Sequence, residues 1–538
     1  MTPDHSPDIG SLRNKPGGAA SVAEWDDGYV TDVVYTRNVY QELMPAWLAT
    51  IALLLGQRPP DLSQPFRYAD LGCGHGLTAT FVAATCPHAE VWAFDFNPAH
   101  VESGRQLAAA AGLTNLHFQE ASFADLADRA PAGLPDFDFI VSHGVASWIS
   151  ADNLAKLIQV IGQRLRAGGL AYLSYNVTTG WASMLPVQTL MRALTRSNQG
   201  RSDQAASEIL DYLDGLKDAG AHFFAANPAV AKRLAETRQQ DPRYIAHEFL
   251  SADWHPLMFA EMAEAMAEVK CTFIGSATPT ENLDAVAVPP AVASLMAKAS
   301  DPILRETLRD FGNAQTFRRD IYRRGTMPMR GPEQMRLFDG ISLAWTGRVP
   351  DDPIQLALAM GRLDGLPEIY GPLMTMIMAG GYTVGMIRRS EAFAKRAATD
   401  LSQAVSLLIA GGYVQPALPE SVQAAARAGT DRLNAAICAY SADGGDIGRL
   451  AATVTGIGVA VDPLEMLMLR ERLSGRSLEI EALTDRLLAA LTRAGRSMQR
   501  DGKVIQDMVQ ARGVLRESLE VIVNRRLPLL VQLGVIDA

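Results

Sequence analysis

Two rhythms of apolar residues divide the first 290 positions of the chain. Short apolar runs at Phe66–Leu71, Val91–Phe94, Leu116–Gln119, Phe137–Ser142 and Leu170–Ser174 predict five strands. Between them apolar residues recur every three or four positions, the spacing of helices that bury one face. Leu77, Phe81 and Val82 follow the first strand. A helix from about His100 to Ala111 follows the second and is closed by Gly112. Leu154, Leu157, Ile158, Ile161 and Leu165 precede the fifth strand, with Ser150 as N-cap and Gly168-Gly169 as stop. Strands alternating with helices predict a parallel α/β sheet with right-handed crossovers. Upstream, Leu43, Trp47, Leu48, Ile51, Leu54 and Leu55 have helical spacing and end at Gly56.

After Asn176 the alternation stops, and residues 180–250 read as helical. It resumes with an amphipathic helix from Phe259 to Val269 and apolar runs at Cys271–Ser276 and Asp284–Val288, which predict the last helix and hairpin of the same sheet. The expected organisation is therefore a polar, disordered segment over 1–24 and a catalytic domain over 25–290 with a helical insertion over 180–250. A linking helix over 291–330 and a mainly helical region over 331–538 complete it. The linking helix carries Leu304, Leu308 and Phe311, then a basic cluster at Arg318, Arg319, Arg323 and Arg324 that reads as a solvated face or a contact for an acidic protein. Two helices stopped by glycine pairs, Gly380-Gly381 and Gly411-Gly412, suggest repeated winged-helix-like units.

Composition narrows the classes of function. In 538 residues, 49 Lys and Arg against 59 Asp and Glu give a net charge of −10, which argues against nucleic acid as a partner. Cys73, Cys86, Cys271 and Cys438 lack disulfide or zinc spacing. No apolar run is long enough to cross a membrane, so a cytoplasmic location without stable membrane insertion is expected. His247, Glu248, Asp253 and His255 do not have metal-ligand spacing, and no metal is expected.

The chemistry gathers at strand ends. Tyr68-Ala69-Asp70-Leu71-Gly72-Cys73-Gly74-His75-Gly76 is a strand, a glycine turn and a helix start, an arrangement that suits a ligand with an anionic or carboxylate end. A dinucleotide fingerprint would have glycine where Leu77 stands, so NAD is disfavoured but remains an alternative. Asp95 ends strand two, where a carboxylate can accept both hydroxyls of a ribose. Ser122-Phe123 and His143-Gly144 follow strands three and four.

These elements, in this order over residues 60–290, resemble the class I S-adenosylmethionine-dependent methyltransferases, with their Rossmann-like sheet. The resemblance implies S-adenosylmethionine as cofactor, its amino-acid end held by Asp70, Gly72, Gly74 and Gly76. It places Asp95 on the ribose, Phe96 beside the adenine, Ser122 and Phe123 at the adenine amino group, and His143 and Gly144 near the sulfonium. Asp95-Phe96-Asn97-Pro98, His143-Gly144-Val145-Ala146-Ser147-Trp148, Ser174-Tyr175-Asn176 with Gly180-Trp181, and Tyr244-Ile245-Ala246-His247-Glu248-Phe249 resemble one bacterial subfamily more narrowly. Its members carry a methyltransferase regulatory domain, and rickettsial protein-lysine methyltransferases acting on outer-membrane proteins are similar. That implies methyl transfer to lysine of a protein substrate. His143, Tyr175, Asn176 and Trp181 are then candidate catalytic residues, and Tyr29, Tyr35, Tyr40, Trp148 and Trp181 candidate acceptor walls. A small-molecule or surface-glycan methyltransferase and a non-catalytic cofactor-sensing protein remain alternatives, and a homodimer stays open.

Overall fold

The computed structural model describes residues 37–195, 200–325, 328–358, 361–442, 444–493, 495–500 and 503–537. The segment 1–24 and the residues Tyr29 and Tyr35 lie outside the described residues. Helix α1 (Pro45–Leu54) precedes strand β1 (Arg67–Leu71), α2 (Leu77–Thr85), β2 (Glu90–Asp95), α3 (Pro98–Ala110), β3 (Leu116–Glu120), α4 (Phe123–Asp128), β4 (Phe137–Ser142), α5 (Ala151–Arg164) and β5 (Leu165–Asn176). Five helices between Leu185 and Phe249 follow, then the helix Phe259–Glu268 and β6 (Cys271–Ser276).

The sheet is Rossmann-like, with strand order β3-β2-β1-β4-β5-β7-β6, where β7 is Phe317–Arg324. The strands β3, β2, β1, β4 and β5 are parallel, whereas β7 runs antiparallel to both β5 and β6. The chain reverses direction across the sheet between β1 and β4. In open α/β sheets the crevice at such a point, outside the carboxyl ends of the strands, is where ligands bind.

Cys271–Ser276 joins the sheet as expected, with Phe273 opposite Tyr322 of β7, but three other expectations fail. The segment 284–288 is not its hairpin partner, because Asp284–Ala287 is a short helix. Nor is 291–330 a linking helix. It holds the helices Pro290–Met296 and Pro302–Asn313 and then β7, so the catalytic sheet ends at Arg324 and not before 290. The basic cluster is therefore a strand, not a solvated helix face. Its charges concealed the strand because the inward-facing ones are neutralised by distant partners. Arg318, which is 3% exposed, donates to Asp320 at 2.8 Å, Asp310 at 2.6 Å and Glu306 at 3.0 Å, and its guanidinium stacks on Phe259 at 4.2 Å.

Helices cover both faces of the sheet. On one face Leu157, Ile161, Met262 and Met266 form a core with Ala171, Leu173 and Tyr175. On the other, α1, α2 and α3 share one apolar cluster with residues as distant as Leu433 and Leu519. All of α1 except Leu54 is buried, which accounts for its lack of a polar face. The helix Glu420–Ala442 packs on α2 and α3. Thr430 donates to the Ala84 carbonyl at 3.5 Å and Arg432 to that of Ala111 at 2.9 Å. The largely helical C-terminal region is thus continuous with the catalytic core. The two glycine-pair endings lean on one segment: Thr383 bridges Ser342, and Val414–Pro416 pairs with Leu343–Trp345. Among the described residues no helix is long and apolar enough to cross a membrane.

Candidate active site

The cleft at the carboxyl ends of β1, β2 and β4 has a volume of about 640 Å³, in the range of small-molecule and cofactor sites. The glycine turn forms one wall. The Gly72 and Cys73 N–H groups both donate to the Phe94 carbonyl, at 2.8 and 2.9 Å, which locks the turn to the end of β2. Helix α2 starts from Gly76 with no side-chain cap, leaving first-turn N–H groups free of side-chain partners. Gly76 has φ of +64°, and a Cβ there would lie 2.2 Å from the Phe118 ring. Gly76→Ala is therefore expected to strain the backbone and push Phe118 aside. Thermal denaturation should show a loss of several degrees, and calorimetry weaker ligand binding.

Asp95 is the hub of the opposite wall. It accepts from the Gly74 N–H at 2.8 Å and the Asn97 N–H at 2.9 Å, and faces His100 Nδ1 at 3.3 Å. Asp70 lies beneath the turn. Burial, and then the charge of Asp95, push its carboxyl up to about 7. Phe96, Phe123 and Gly144 also line the cleft. A Cβ at Gly74 or Gly144 would meet open space, so both backbones face the cavity bare.

The structure revises four of the predicted roles. Ser122 lines the cleft, but its hydroxyl is committed to a capping box: it donates to Asp125 at 2.7 Å and accepts from the Asp125 N–H at 3.1 Å. The Ser-x-x-Asp spacing carried that signal. Tyr175 is not catalytic, because it points into the core on the far side of the sheet and donates to Asp320 at 2.6 Å. Alternation along β5 sets Ser174, not Tyr175, behind the cleft wall formed by His143 and Gly144. Its hydroxyl accepts from Gly144 N–H at 2.8 Å. Trp181 does not line the cleft and belongs to the insertion. Its indole donates to the Thr316 carbonyl at 2.8 Å, and its ring lies edge-on to Trp254 and under Arg233. His143 lines the cleft but is a poor base. Burial, and then Arg319, push its imidazole down to about 3, with Nδ1 between the hydroxyls of Tyr172 at 2.9 Å and Ser174 at 3.2 Å. An NMR titration should find His143 neutral down to pH 5; protonation near pH 6.5 would contradict this environment.

Two of the remaining candidates line the cleft. The Tyr40 and His143 rings lie tilted against each other with centroids 3.9 Å apart, and Trp148 belongs to the same lining. Asn176 is buried at the end of β5, where its amide donates to Glu248 of the insertion at 3.4 Å. Arg37, Asn38 and Asn153 also line the cleft, without any sequence signal that marks them. Arg37 is tied to Asp446 of the C-terminal region at 2.8 Å and to Ser103 at 3.1 Å. Among the described residues no group of three His, Cys, Asp or Glu side chains could hold a metal.

Comparison with known proteins fits this geometry. The family pattern described as a methyltransferase domain matches residues 69–169, and the one described as a predicted methyltransferase regulatory domain matches residues 241–324. Over 211 residues the chain is 30% identical to a trans-aconitate 2-methyltransferase of Methylobacterium radiotolerans, covering 39% of this chain and 70% of that one. The uncharacterised protein sll1526 of Synechocystis sp. is 30% identical over 514 residues, 95% of this chain and 99% of its own. The chain belongs to the class I S-adenosylmethionine-dependent methyltransferases that carry a methyltransferase regulatory domain. A solved structure of PKMT2 from Rickettsia typhi in complex with AdoHcy has the same fold, with a TM-score of 0.68 at 19% identity over 93% of this chain and 100% of that one. The regulatory-domain match has a clear structural meaning. It runs from the insertion helix Pro242–Phe249 to the end of β7, so in this methyltransferase that segment completes the catalytic sheet.

S-adenosylmethionine is the cofactor, and the cleft suits it. Two buried carboxyl groups, Asp70 and Asp95, face a cavity whose one guanidinium among the described lining residues, Arg37, is already paired with Asp446. A ligand bringing its own ammonium and sulfonium charges would compensate them.

Proposed function

We propose that this methyltransferase modifies lysine side chains of a protein substrate. S-adenosylmethionine supplies an electrophilic methyl group on a cationic sulfur. Asp70 and the glycine turn would hold its amino-acid end, and Asp95 its ribose. Phe96 and Phe123 would flank the adenine, and His143 and Gly144 would lie beside the sulfonium.

The observation that carries the acceptor reading is the chemistry of the wall beyond His143. Tyr40, Trp148, Ile149 and Asn153 are neutral, and apart from Arg37 the charged side chains lining the cleft among the described residues are carboxyl groups. A polycarboxylate acceptor calls for unpaired cations, whereas aromatic faces and a carboxylate favour an amine. Aromatic burial also lowers a lysine pKa, and only the neutral amine has the lone pair that can attack. The subfamily motifs and the size of the accessory regions, more than a small acceptor needs, support a protein substrate. The charge of −10 argues against nucleic acid.

The test is incubation of the full chain with methyl-labelled cofactor and bacterial protein fractions, followed by total acid hydrolysis. Label recovered as N-methyl-lysine is the expected result. Base-labile label released as methyl esters, or label confined to small molecules or glycan, would overturn the lysine reading.

A further inference from the structure

The segment before α1 has two sides. Toward the cleft it presents Arg37, Asn38 and Tyr40, all of which line the cofactor cavity. Asn38 is exposed, so the segment lies at the rim. Arg37 Nη2 donates to Ser103 of α3 at 3.1 Å. Ser103 stands one helical turn beyond His100, which faces Asp95, so the segment crosses the Asp95 side of the cleft.

The same residues are held by the C-terminal region. Arg37 Nη1 donates to Asp446 Oδ1 at 2.8 Å, across 409 positions of sequence. The Arg37 guanidinium also lies over the Tyr440 ring, 5.4 Å from its centroid. Arg449 Nε donates to Asn38 Oδ1 at 3.3 Å, and Gln415 Nε2 donates to Gln41 Oε1 at 2.8 Å. The loop carrying Asp446 is fixed at both ends. It joins the helix Glu420–Ala442, which packs on α2 and α3, to the strand Arg449–Ala451. The buried Asn434 of that helix clamps the strand, donating to the Ala451 carbonyl at 2.9 Å and accepting from the Ala451 N–H at 2.7 Å.

We infer that the C-terminal region completes the cofactor site: Asp446, acting through Arg37, holds residues 37–40 at the rim of the cleft and slows cofactor release. Asp446 does not line the cavity and is a positioning residue. Its carboxylate compensates the Arg37 charge from outside the cleft. Without it, the guanidinium competes with the ligand's ammonium group for the carboxylates that line the cavity. It also loses an anchor that keeps it beside Ser103. Affinity changes of this kind fall mainly on the dissociation rate.

The test uses the full chain and AdoHcy, and none of its readouts depends on the acceptor. Asp446→Asn should raise the AdoHcy dissociation constant about fivefold by calorimetry. Stopped-flow tryptophan fluorescence should show the dissociation rate rising by a similar factor. The pair's side chains are 16% and 38% exposed, which holds the effect to about this size. Asp446→Glu keeps the charge and should recover most of the affinity. Arg37→Ala should weaken binding as well, and Arg37→Ala combined with Asp446→Ala should bind as Arg37→Ala alone does, because Asp446 acts only through Arg37. The control is Asp485→Asn, which breaks an ion pair with Arg512 between the helices Ile480–Arg493 and Met508–Val521 and should bind as the wild type does. Unchanged affinity in Asp446→Asn would overturn the inference, as would a double variant whose loss is the product of the single losses. An equal loss in Asp485→Asn would overturn it too, since the effect would then be a general loosening of the C-terminal region.

Discussion

Asp95→Ala is expected to abolish useful cofactor binding, with the AdoHcy dissociation constant rising about 100-fold or more. Two backbone N–H groups, Gly74 and Asn97, end on the Asp95 carboxylate, and the group is 7% exposed. Removing the carboxylate leaves buried donors unpaired, at about 1–3 kcal/mol each. It also removes the proposed acceptor for the ribose hydroxyls and loosens the turn carrying Gly72 and Gly74. About 3 kcal/mol corresponds to roughly 100-fold in affinity. Asp95→Asn keeps the shape and one carbonyl acceptor and should lose less. Calorimetry with AdoHcy on both variants checks the order. Unchanged affinity in Asp95→Ala would remove Asp95 from the cofactor site.

The largest effect on stability is expected at Arg318. Arg318→Met keeps much of the volume against Phe259 and Phe273 but removes the one cation paired with Asp310 and Asp320 among the described residues, and leaves Glu306 with Arg309 alone. Breaking a buried pair by deleting one partner costs about 3–5 kcal/mol, because the charge left behind is unpaired. Denaturant unfolding of the variant should show that loss at pH 8. The sign of its pH dependence follows from the carboxylates. Burial already pushes Asp310 up to about 7 against Arg318, which holds it down. Without Arg318 the folded-state values rise further above the unfolded one. The folded variant then binds more protons than the unfolded chain, and its stability falls as pH rises from about 4 through the folded values. Acidification from pH 8 to pH 5 should therefore narrow the gap to the wild type. A constant gap would mean that the lost energy is packing, not charge.

The same network explains why part of the fold was illegible beforehand. Strand β7 reads Phe-Arg-Arg-Asp-Ile-Tyr-Arg-Arg, which no apolar-run criterion would select. It is a strand because its buried charges are met by groups on other elements, as where Tyr175 donates to Asp320 across 145 positions. Because β7 carries no apolar run, the apolar pattern pairs Cys271–Ser276 with 284–288 and not with its true neighbour. Tyr175 and Trp181 lie away from the cleft for a related reason. Both follow the correct strand end, yet the face a side chain takes depends on register with β7 and on the packing of the insertion. Ser122 is the exception, since its capping partner Asp125 lies three residues away and the motif was readable.

By itself the sequence determined the parallel half of the sheet, the glycine turn, the strand-end acid Asp95 and, through the family resemblance these carry, the methyl donor. All are local: the period of a strand or helix, a turn that needs glycine, and a strand-end acid are set within some thirty residues. The tertiary structure decided how the sheet is completed, that residues 241–324 and the C-terminal helices belong to the catalytic body, and that Glu248 meets Asn176 across 72 positions. Those features are pairings of buried charges and polar groups between distant elements. A buried charge reads in sequence as a surface charge until the partner that compensates it is in place.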